Sequence, residues 1–470
     1  MPTRTAFLFP GQGSYLPGLF GNLVDRHPVI GETLSIVDEV AGRLGRAPVS
    51  PMLLDPGSPN LQELVEHDPP ALHLAIFASS VTAFRLLTED YRVRPDLLLG
   101  HSFGELTALT AAGALTLEDG AHVVAQRDES LSRIEAPRGG LVALNCGARR
   151  AQDIIGALDE WHLAVAADNG PGQVVVSGPD EELARVHEVA TALGLTATRL
   201  RIPYPFHNPL LADTADDFGE RVADVPRRVP RLPVYSAILG RYIEDVGQVG
   251  RVISGHLVLP VRFLDAAREI HADGARRFVE SGPKGVLVDL VAAIVPGAVT
   301  VAPLRKRTDR RGLEADLDAV PSLARDGRAT VSRRPAPPGR PEAPAPGPVD
   351  VAEAAPVPVP VPTPRAETST AEESAPPAAA GRDAVFDTVR TVYADLLGYP
   401  PDALEPDADL EADLGIDSIK QTEAFTRTLE HFGIPPADSG ARLTNYPTMD
   451  AIVDLVMRLR DDRHPVGSDA

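Results

Sequence analysis

The sequence predicts an α/β domain, a flexible linker and a small all-α domain, in that order along the chain. Three observations predict this arrangement. Short apolar runs that precede a turn and a helix-like stretch recur through residues 1–305, prolines crowd residues 335–380, and apolar residues repeat at helical spacing across residues 383–462. The length of 470 residues accommodates about two to four domains of ordinary size.

The first part, residues 1–305, is expected to form a mostly parallel sheet covered by helices. Its clearest unit is a strand over Leu97–Leu99, followed by a Gly-rich turn and a helix over Glu105–Ala114. Strand–turn–helix alternation of this kind is typical of parallel α/β folds. Further predicted strands are Thr5–Phe9, Val174–Val176 and Arg277–Val279.

Residues 306–382 predict a polar tail that leads into a Pro/Ala-rich flexible linker. The window 335–380 holds 14 prolines and 12 alanines and no aromatic residue. Proline cannot donate the hydrogen bonds of a helix, and this composition cannot bury a core, so we expect extended, disordered chain. A Pro-rich docking motif for a partner is the alternative interpretation.

Residues 383–462 predict a four-helix bundle. Val385, Val389 and Val392 repeat at helical spacing, and two later stretches show the same pattern. The segment holds 17 acidic and 6 basic residues, a net charge of −11. It therefore predicts an acidic surface suited to basic patches on partner proteins.

Composition argues against several classes of function. The chain has 66 acidic and 45 basic residues, a net charge of −21, which disfavours nucleic acid as a partner. Its one cysteine, Cys146, cannot form an internal disulfide or a Cys-based metal site, and no metal site is predicted. Neither a signal-peptide core nor a long apolar run is evident, so we expect a cytoplasmic protein that does not enter a membrane.

The strongest chemical motif is Gly100–Gly104, which reads Gly-His-Ser-Phe-Gly. It fits the G-x-S-x-G elbow, in which glycines permit a sharp strand-to-helix turn that exposes the serine hydroxyl. An apolar strand precedes the motif and a helix-like run follows it, as the elbow requires. Ser102 is therefore a candidate nucleophile, and His207, which lies 105 residues downstream, is a candidate base.

Five ordered motifs resemble the malonyl-CoA:acyl carrier protein transacylase family, which includes the acyltransferase domains of polyketide synthases. The resemblance covers about 300 residues. It implies an α/β-hydrolase-like acyltransferase core with a small ferredoxin-like subdomain inserted at residues 137–203. The matching segments are Phe9–Ser14, Gly100–Glu105, Ala125–Arg127, Tyr204–His207 and Ser281–Pro283.

The resemblance also implies catalytic roles. Ser102 would attack an acyl thioester and carry the acyl group as an ester, while His207 would accept the serine proton. The oxyanion hole would be formed by the main-chain N–H groups of Gln12 and Phe103. A main-chain carbonyl would hold His207 in place, and the matching segment makes His256 the candidate for that support.

Arg127 carries the substrate prediction, because a guanidinium can clamp a carboxylate with two parallel hydrogen bonds. The resemblance places it where the family binds the free carboxylate of a malonyl unit. Phe206 stands where bulk would exclude an α-methyl group, which favours malonyl. Tyr204 and Pro205 depart from the family motif, so hydroxymalonyl, methoxymalonyl, aminomalonyl and methylmalonyl units remain alternatives.

His73 is a second departure, since the family usually has glutamine at this position near the active site. Two interpretations are open. The histidine is either a simple substitution, or it reads a polar substituent on the acyl unit.

Leu414–Ile419 resembles the phosphopantetheine attachment motif of acyl carrier proteins, and this resemblance covers about 80 residues. It implies a covalent 4′-phosphopantetheine on Ser418, installed by a phosphopantetheinyl transferase. The predicted function is a didomain that loads a malonyl-type unit from CoA, through Ser102, onto its own carrier domain. Downstream partners would be a ketosynthase or other assembly-line enzymes of polyketide, fatty acid or antibiotic biosynthesis. An editing acyl hydrolase and an inactive interaction module are the alternatives.

Overall fold

A computed structural model describes the two folded parts of the chain. It covers residues 3–134, 136–320, 382–397, 418–434 and 448–463, together with Leu404, Pro406, Leu410, Ile416 and Tyr446. The predicted linker window, residues 335–380, lies outside the described residues.

Eleven strands are described, and they form two sheets. Their bounds are β1 (Arg4–Phe9), β2 (Leu97–Gly100), β3 (Gly140–Leu144), β4 (Ala164–Gly170), β5 (Gln173–Gly178), β6 (Ala197–Leu200), β7 (Val234–Ser236), β8 (Arg241–Tyr242), β9 (Val261–Arg262), β10 (Ala275–Glu280) and β11 (Val299–Val301).

The larger sheet has the strand order β11-β10-β1-β2-β7-β8. Every neighbouring pair is parallel except β7 and β8, so the sheet is mostly parallel, as expected. β1 and β2 lie in its middle and read as continuous apolar runs, because both faces of such a strand are covered by helices. Three of the four predicted strands belong to this sheet.

The fourth predicted strand, Val174–Val176, lies within β5 of a smaller sheet. That sheet has the order β6-β3-β5-β4-β9, and β5 is antiparallel to both of its neighbours. Strands β3 to β6 and two intervening helices follow a β-α-β-β-α-β order, which is the ferredoxin-like arrangement predicted for the inserted subdomain. β9, from a later part of the chain, pairs with β4 and connects this sheet to the rest of the domain.

Thirteen described α-helices cover the two sheets of the first part. Their bounds are α1 (Pro28–Arg43), α2 (Ser50–Leu54), α3 (Leu61–His67), α4 (Pro69–Arg85), α5 (Gly104–Ala111), α6 (Leu117–Arg133), α7 (Ala148–Leu158), α8 (Asp180–Ala192), α9 (Ala212–Arg221), α10 (Val246–Gly255), α11 (Phe263–Ala272), α12 (Val286–Ile294) and α13 (Arg310–Asp318).

Helix α4 and the π-helical turn that continues it are unusually apolar. Among the described residues, this segment, Pro69–Asp90, is long and apolar enough to cross a membrane, although 83% of its most apolar window is buried inside the protein. A core helix passes the same test, so the segment is weak evidence for a membrane span.

The first residues of the predicted polar tail are ordered. Helix α13 buries Leu313 and Leu317 in the core of the first part. The folded first part therefore continues beyond residue 305, because the buried apolar face of α13 belongs to its core.

The last part of the chain is helical where it is described. The helices are α14 (Arg382–Leu397), α15 (Ser418–His431) and α16 (Met449–Arg463). Val385, Val389, Leu429, Ile452 and Val456 are buried, as their helical spacing predicts. Three helices of the predicted four-helix bundle thus lie within the described residues.

Candidate active site

The site is built around the turn between β2 and α5. Ser102 has a positive φ of 54°, a strained conformation for a residue with a side chain. A Cβ on Gly100 would lie 2.4 Å from the backbone of Glu105, and one on Gly104 would lie 2.0 Å from the carbonyl oxygen of Phe9. Both glycines are therefore required by close backbone packing, and the motif forms the sharp elbow that the sequence predicts.

Glu105 fixes the first turn of α5. Its buried carboxylate accepts hydrogen bonds from Ser236 Oγ at 2.5 Å and from the main-chain N–H of Ile238 at 2.9 Å. Burial raises the pKa of Glu105 to about 7, although these hydrogen bonds act in the opposite direction. The elbow is thus tied to the end of the neighbouring strand β7.

Ser102 and His207 meet in the structure. Ser102 Oγ lies 2.6 Å from His207 Nε2, and His207 Nδ1 lies 2.7 Å from the main-chain oxygen of Leu259. A carbonyl can only accept, so Nδ1 carries the proton and Nε2 is left to accept the serine proton. The pair has the geometry of a nucleophile and its base.

The expected support of His207 by His256 is wrong. The segment is the predicted one, but the acceptor is the carbonyl of Leu259, three residues later. The main-chain N–H of His207 also donates to this segment, to Leu257 O at 2.7 Å. Residues 256–258 form a turn after α10, and this turn presents the carbonyls of Leu257 and Leu259 to His207 instead of that of His256.

His207 is neutral at physiological pH. Burial lowers its pKa to about 4, and the positive charge of Arg127 adds to the shift, while the hydrogen bond to Leu259 opposes it. A neutral imidazole has the lone pair that a base requires.

The two predicted oxyanion donors lie at one contact between a turn and the elbow. The main-chain N–H groups of Gln12 and Phe103 donate to no other described residue. A Cβ on Gly11 would lie 3.2 Å from the carbonyl oxygen of His101, so the turn that carries Gln12 lies against the elbow. These unpaired donors can stabilise negative charge on a substrate oxygen.

His73 positions the Gln12 turn. Its Nδ1 lies 2.7 Å from Asp128 Oδ1, and its Nε2 lies 2.6 Å from Gln12 Nε2. The carboxylate can only accept, so Nδ1 donates to Asp128 and Nε2 accepts from the amide of Gln12. Both ring nitrogens are engaged by the protein, which favours a supporting substitution over the reading of an acyl substituent.

Arg127 is 2% exposed and lies between two aromatic rings. Its guanidinium carbon is 4.5 Å from the ring centre of Phe206 and 5.6 Å from that of Phe103. Those two residues directly adjoin His207 and Ser102 in the sequence. Burial lowers the pKa of Arg127 from its ordinary value, and the charge of Asp128 opposes that shift.

His256 holds Arg127 rather than His207. Arg127 Nε donates to His256 Nε2 at 2.9 Å, and His256 Nδ1 donates to Ile253 O at 2.9 Å. Arg127 Nη1 donates to Asp128 Oδ1 at 3.3 Å. Within the described part of the chain, the guanidinium makes no other hydrogen bond, so Nη2 has the geometry to donate to an added carboxylate.

Sequence reasoning missed four residues of this site. They are Leu259, Asp128, His101 and Asn169. His101 Nε2 lies 2.7 Å from Asn169 Oδ1, and this contact connects the elbow to the smaller sheet. The Asn-Gly-Pro-Gly stretch that begins at Asn169 signals a tight turn, but no spacing rule connects it to the elbow 68 residues earlier.

The predicted attachment residue Ser418 is the first residue of helix α15. A helix N-terminus favours a phosphate, because its free N–H groups and dipole attract negative charge. Most of the Leu414–Ile419 motif lies outside the described residues, so Ser418 stays a prediction from the sequence.

This fold and the geometry of the Ser102–His207 pair are typical of α/β enzymes that use a serine nucleophile and a histidine base. Comparison with known families makes the assignment specific. Residues 6–319 match the acyl transferase domain family, and residues 387–456 match the phosphopantetheine attachment site family. The chain belongs to the acyl transferase family and has a second domain that carries a covalent phosphopantetheine.

Individual relatives agree with this assignment. Polyketide synthase GfsA from Streptomyces halstedii is 35% identical over 287 residues, which are 60% of this chain but only 4% of that protein. The chain therefore spans a small fraction of the curated relatives it matches.

Two solved structures share the fold of the first part. The acyltransferase domain from the second module of the salinomycin polyketide synthase has a TM-score of 0.61 at 29% identity, over 69% of this chain and 75% of that one. A malonyl-CoA:acyl carrier protein transacylase from Xanthomonas oryzae has a TM-score of 0.61 at 30% identity, over 68% of this chain and 99% of that one. Both support an acyltransferase core.

Proposed function

We propose that this protein transfers a malonyl unit from CoA to its own carrier domain, as a loading step of a polyketide or hybrid assembly line. The observation that carries the proposal is the buried cation of Arg127 beside the Ser102–His207 pair. Asp128 pairs with one terminal nitrogen of this cation, Nη1, at 3.3 Å. A buried charge also needs its remaining donors satisfied, so the open Nη2 is explained best by a substrate that brings a further carboxylate.

The first half-reaction follows from the atoms of the pair. Ser102 Oγ attacks the thioester carbon while its proton moves to His207 Nε2. The oxyanion that forms is stabilised by the N–H groups of Gln12 and Phe103. As the carbon–sulfur bond breaks, the CoA sulfur takes the proton from His207, which leaves an acyl ester on Ser102 and a neutral histidine.

Arg127 selects the acyl unit. Its Nη2 and the remaining N–H of Nη1 can donate to a terminal carboxylate, which malonyl has and acetyl lacks. Phe206 and Phe103 pack on the guanidinium and keep water away from it, which strengthens the charge pairing. The bulk of Phe206 beside this site favours malonyl over units with an α-substituent.

The carrier domain supplies the acceptor. When attached at Ser418, the phosphopantetheine arm supplies the thiol that receives the acyl group. His207, neutral again after the first half-reaction, accepts the proton of the incoming thiol as its sulfur attacks the ester carbon. When the carbon–oxygen bond breaks, His207 Nε2 returns that proton to Ser102 Oγ. We propose that a phosphopantetheinyl transferase modifies Ser418, that a ketosynthase or another assembly-line enzyme uses the loaded unit, and that these steps take place in the cytoplasm.

The selectivity of Arg127 tests this function. Arg127→Ala removes the carboxylate partner, so we expect malonyl-CoA loading to fall about 100-fold, since each hydrogen bond to a charged group contributes roughly 1.5–3 kcal/mol. Acetyl-CoA loading should not fall. Acylation is measured by intact mass in the full-length Ser418→Ala protein. This variant cannot hold the phosphopantetheine thiol, so the added mass reports formation of the Ser102 ester alone.

Arg133→Ala is the matched control, because Arg133 lies on the same helix, with a 54% exposed side chain that pairs with Asp217. It should retain the preference for malonyl-CoA. An Arg127→Ala enzyme that still prefers malonyl-CoA over acetyl-CoA would contradict the proposed function.

A further inference from the structure

Lysine is rare in this chain, and its placement is uneven. The sequence contains three lysines, Lys284, Lys306 and Lys420, against 42 arginines. Lys420 is the single lysine of residues 383–462, and it lies two residues after Ser418. An acidic domain thus has one ammonium group in the first turn of the helix that begins at its attachment residue.

Lys420 contacts the acyltransferase domain. Its Nζ forms an ion pair with Asp289 Oδ2 on helix α12. The side chains of Lys420 and Asp289 are 37% and 31% exposed, so both remain in contact with solvent. Both folded parts belong to one compact unit of the structure. A partly exposed ion pair is weak and reversible, as a carrier that must visit several enzymes requires.

Asp289 is held ready for this contact by its own domain. Arg305 donates to it with both terminal nitrogens, Nη2 to Oδ1 at 2.7 Å and Nη1 to Oδ2 at 3.0 Å. The main chain of Arg305 accepts from the N–H of Lys284 at 2.9 Å, which fixes the arginine against the turn before α12. The carboxylate is therefore oriented without the carrier.

Asp289 also keeps its negative charge. Its partial burial acts to raise its pKa, but the hydrogen bonds from Arg305 and the charge of Lys420 more than offset this, and the pKa of Asp289 is lowered from its ordinary value. The carboxylate is ionised throughout the physiological range.

Helix α12 starts at the sheet edge that holds the active site. The turn before it includes Gly282, where a Cβ would lie 2.8 Å from the ring of Pro10, two residues before Gln12. Glu280, at the end of β10, accepts from the N–H groups of Leu287 and Val288 and so fixes the helix start. Asp289 thus lies on a helix whose preceding turn contacts Pro10, two residues before the predicted oxyanion donor Gln12.

We propose that Asp289, oriented by Arg305, is the docking residue through which the acyltransferase domain recognises Lys420 of its own carrier domain. This inference rests on the proposed function, because it names the partner surface of the same site. In this pair the carrier domain supplies the positive charge and the acyltransferase domain the negative one. An acidic carrier is generally expected to meet basic patches instead. A carrier with an acidic residue in place of Lys420 would meet Asp289 with a like charge, so the pair also selects against other carriers.

Carbodiimide coupling tests the contact without any activity. The reagent joins a carboxylate and an amine that touch into an amide bond, and it takes up the water that is lost as a urea. In the full-length protein we expect a peptide in which Lys420 Nζ is joined to Asp289. Asp289→Asn should abolish that peptide, whereas Asp316→Asn, at an exposed position on α13, should retain it. Coupling of Lys420 only to carboxylates of residues 383–462, or to none, would overturn the proposal.

Charge exchange tests its role in transfer. In the phosphopantetheinylated full-length protein, Asp289→Lys and Lys420→Asp should each slow transfer from Ser102 to the carrier about tenfold, and the double variant should recover most of that loss. Lys420→Asp does not change the sequence of the acyltransferase domain, so slower transfer in this variant cannot come from misfolding of that domain. Single variants that transfer like the parent, or a double variant no faster than the singles, would overturn the proposal.

The two proposals fail in different ways. Acylation of Ser102 by malonyl-CoA is measured separately, in the Ser418→Ala background, and should be the same in the parent and in Asp289→Lys. If no ester forms in any variant, the proposed function fails. If the ester forms and the rate of transfer does not depend on the charges, only the docking inference fails.

Discussion

The acyl site and the carrier contact use charge in opposite ways. Arg127 is 2% exposed and is held by His256, Asp128 and two aromatic rings. Lys420 has a side chain that is 37% exposed, and that of its partner Asp289 is 31% exposed. The first charge is fixed before the substrate arrives, whereas the second remains solvated.

This difference fits the role proposed for each region, which is substrate selection at Arg127 and reversible docking at Asp289. A buried, preorganised charge interacts strongly and loses much when one partner is removed, because the remaining groups are left unpaired. A solvated pair contributes little by itself and can be exchanged for the reverse pair. Loss of the buried charge of Arg127 should therefore be severe and not compensable, whereas reversal of one charge in the carrier contact should be milder and compensable by reversal of its partner.

The largest effect is expected from loss of the nucleophile. Ser102→Ala should lower loading by at least about 10³-fold, because no ester can form and the remaining groups act only by binding. Intact mass of the full-length protein after exposure to malonyl-CoA is the measurement. Ser132→Ala, an exposed position on α6, is the control and should load normally. Ester formation in Ser102→Ala would place the nucleophile elsewhere.

A smaller effect is expected at the support of Arg127. His256→Ala removes the acceptor of Arg127 Nε, so the guanidinium loses its orientation, and kcat/KM for malonyl-CoA should fall about tenfold, as for one hydrogen bond to a charged group. Acetyl-CoA should be affected less. Equal losses for both substrates would mean that His256 acts on the fold or on His207 instead.

The pH dependence separates a buried base from an exposed one. His207 must be neutral to accept a proton, and its pKa is about 4. The rate of Ser102 acylation should therefore stay level as the pH falls from about 8 to about 5, and drop by half near 4. Circular dichroism at each pH checks that the fold persists. A midpoint near the ordinary histidine value of about 6.5 would show that His207 is solvated during the reaction.

The mildest effect is expected at His73. His73→Gln retains a side chain able to accept from Gln12 and loses the bond to Asp128, so acylation should slow about two- to threefold. The ratio of hydroxymalonyl-CoA to malonyl-CoA use should not change, because both ring nitrogens already bond to the protein. A changed ratio would restore the interpretation that His73 reads a polar substituent.

Local features of the site are predictable from the sequence, and contacts across the fold are not. The elbow follows from two glycines and a serine within five residues, and the mostly parallel sheet follows from apolar runs before turns. Leu259, by contrast, meets a residue 52 positions away, and His101 meets Asn169 at a separation of 68. Such pairings depend on how the two sheets pack.

His256 shows where sequence reasoning stops. The sequence predicts that its segment supports His207, and the segment does so, but which carbonyl points at the ring is decided by the turn after α10. The side chain of His256 is directed instead to Arg127. The prediction therefore finds the right segment and the wrong atom.

The most direct test of the account is the mass of the Ser102-containing peptide after the Ser418→Ala protein is mixed with equal malonyl-CoA and acetyl-CoA. We expect a malonyl ester on Ser102 as the main product, and its loss in Arg127→Ala but not in Arg133→Ala. An acetyl ester as the main product of the parent protein, or an acyl group on another residue, would contradict it.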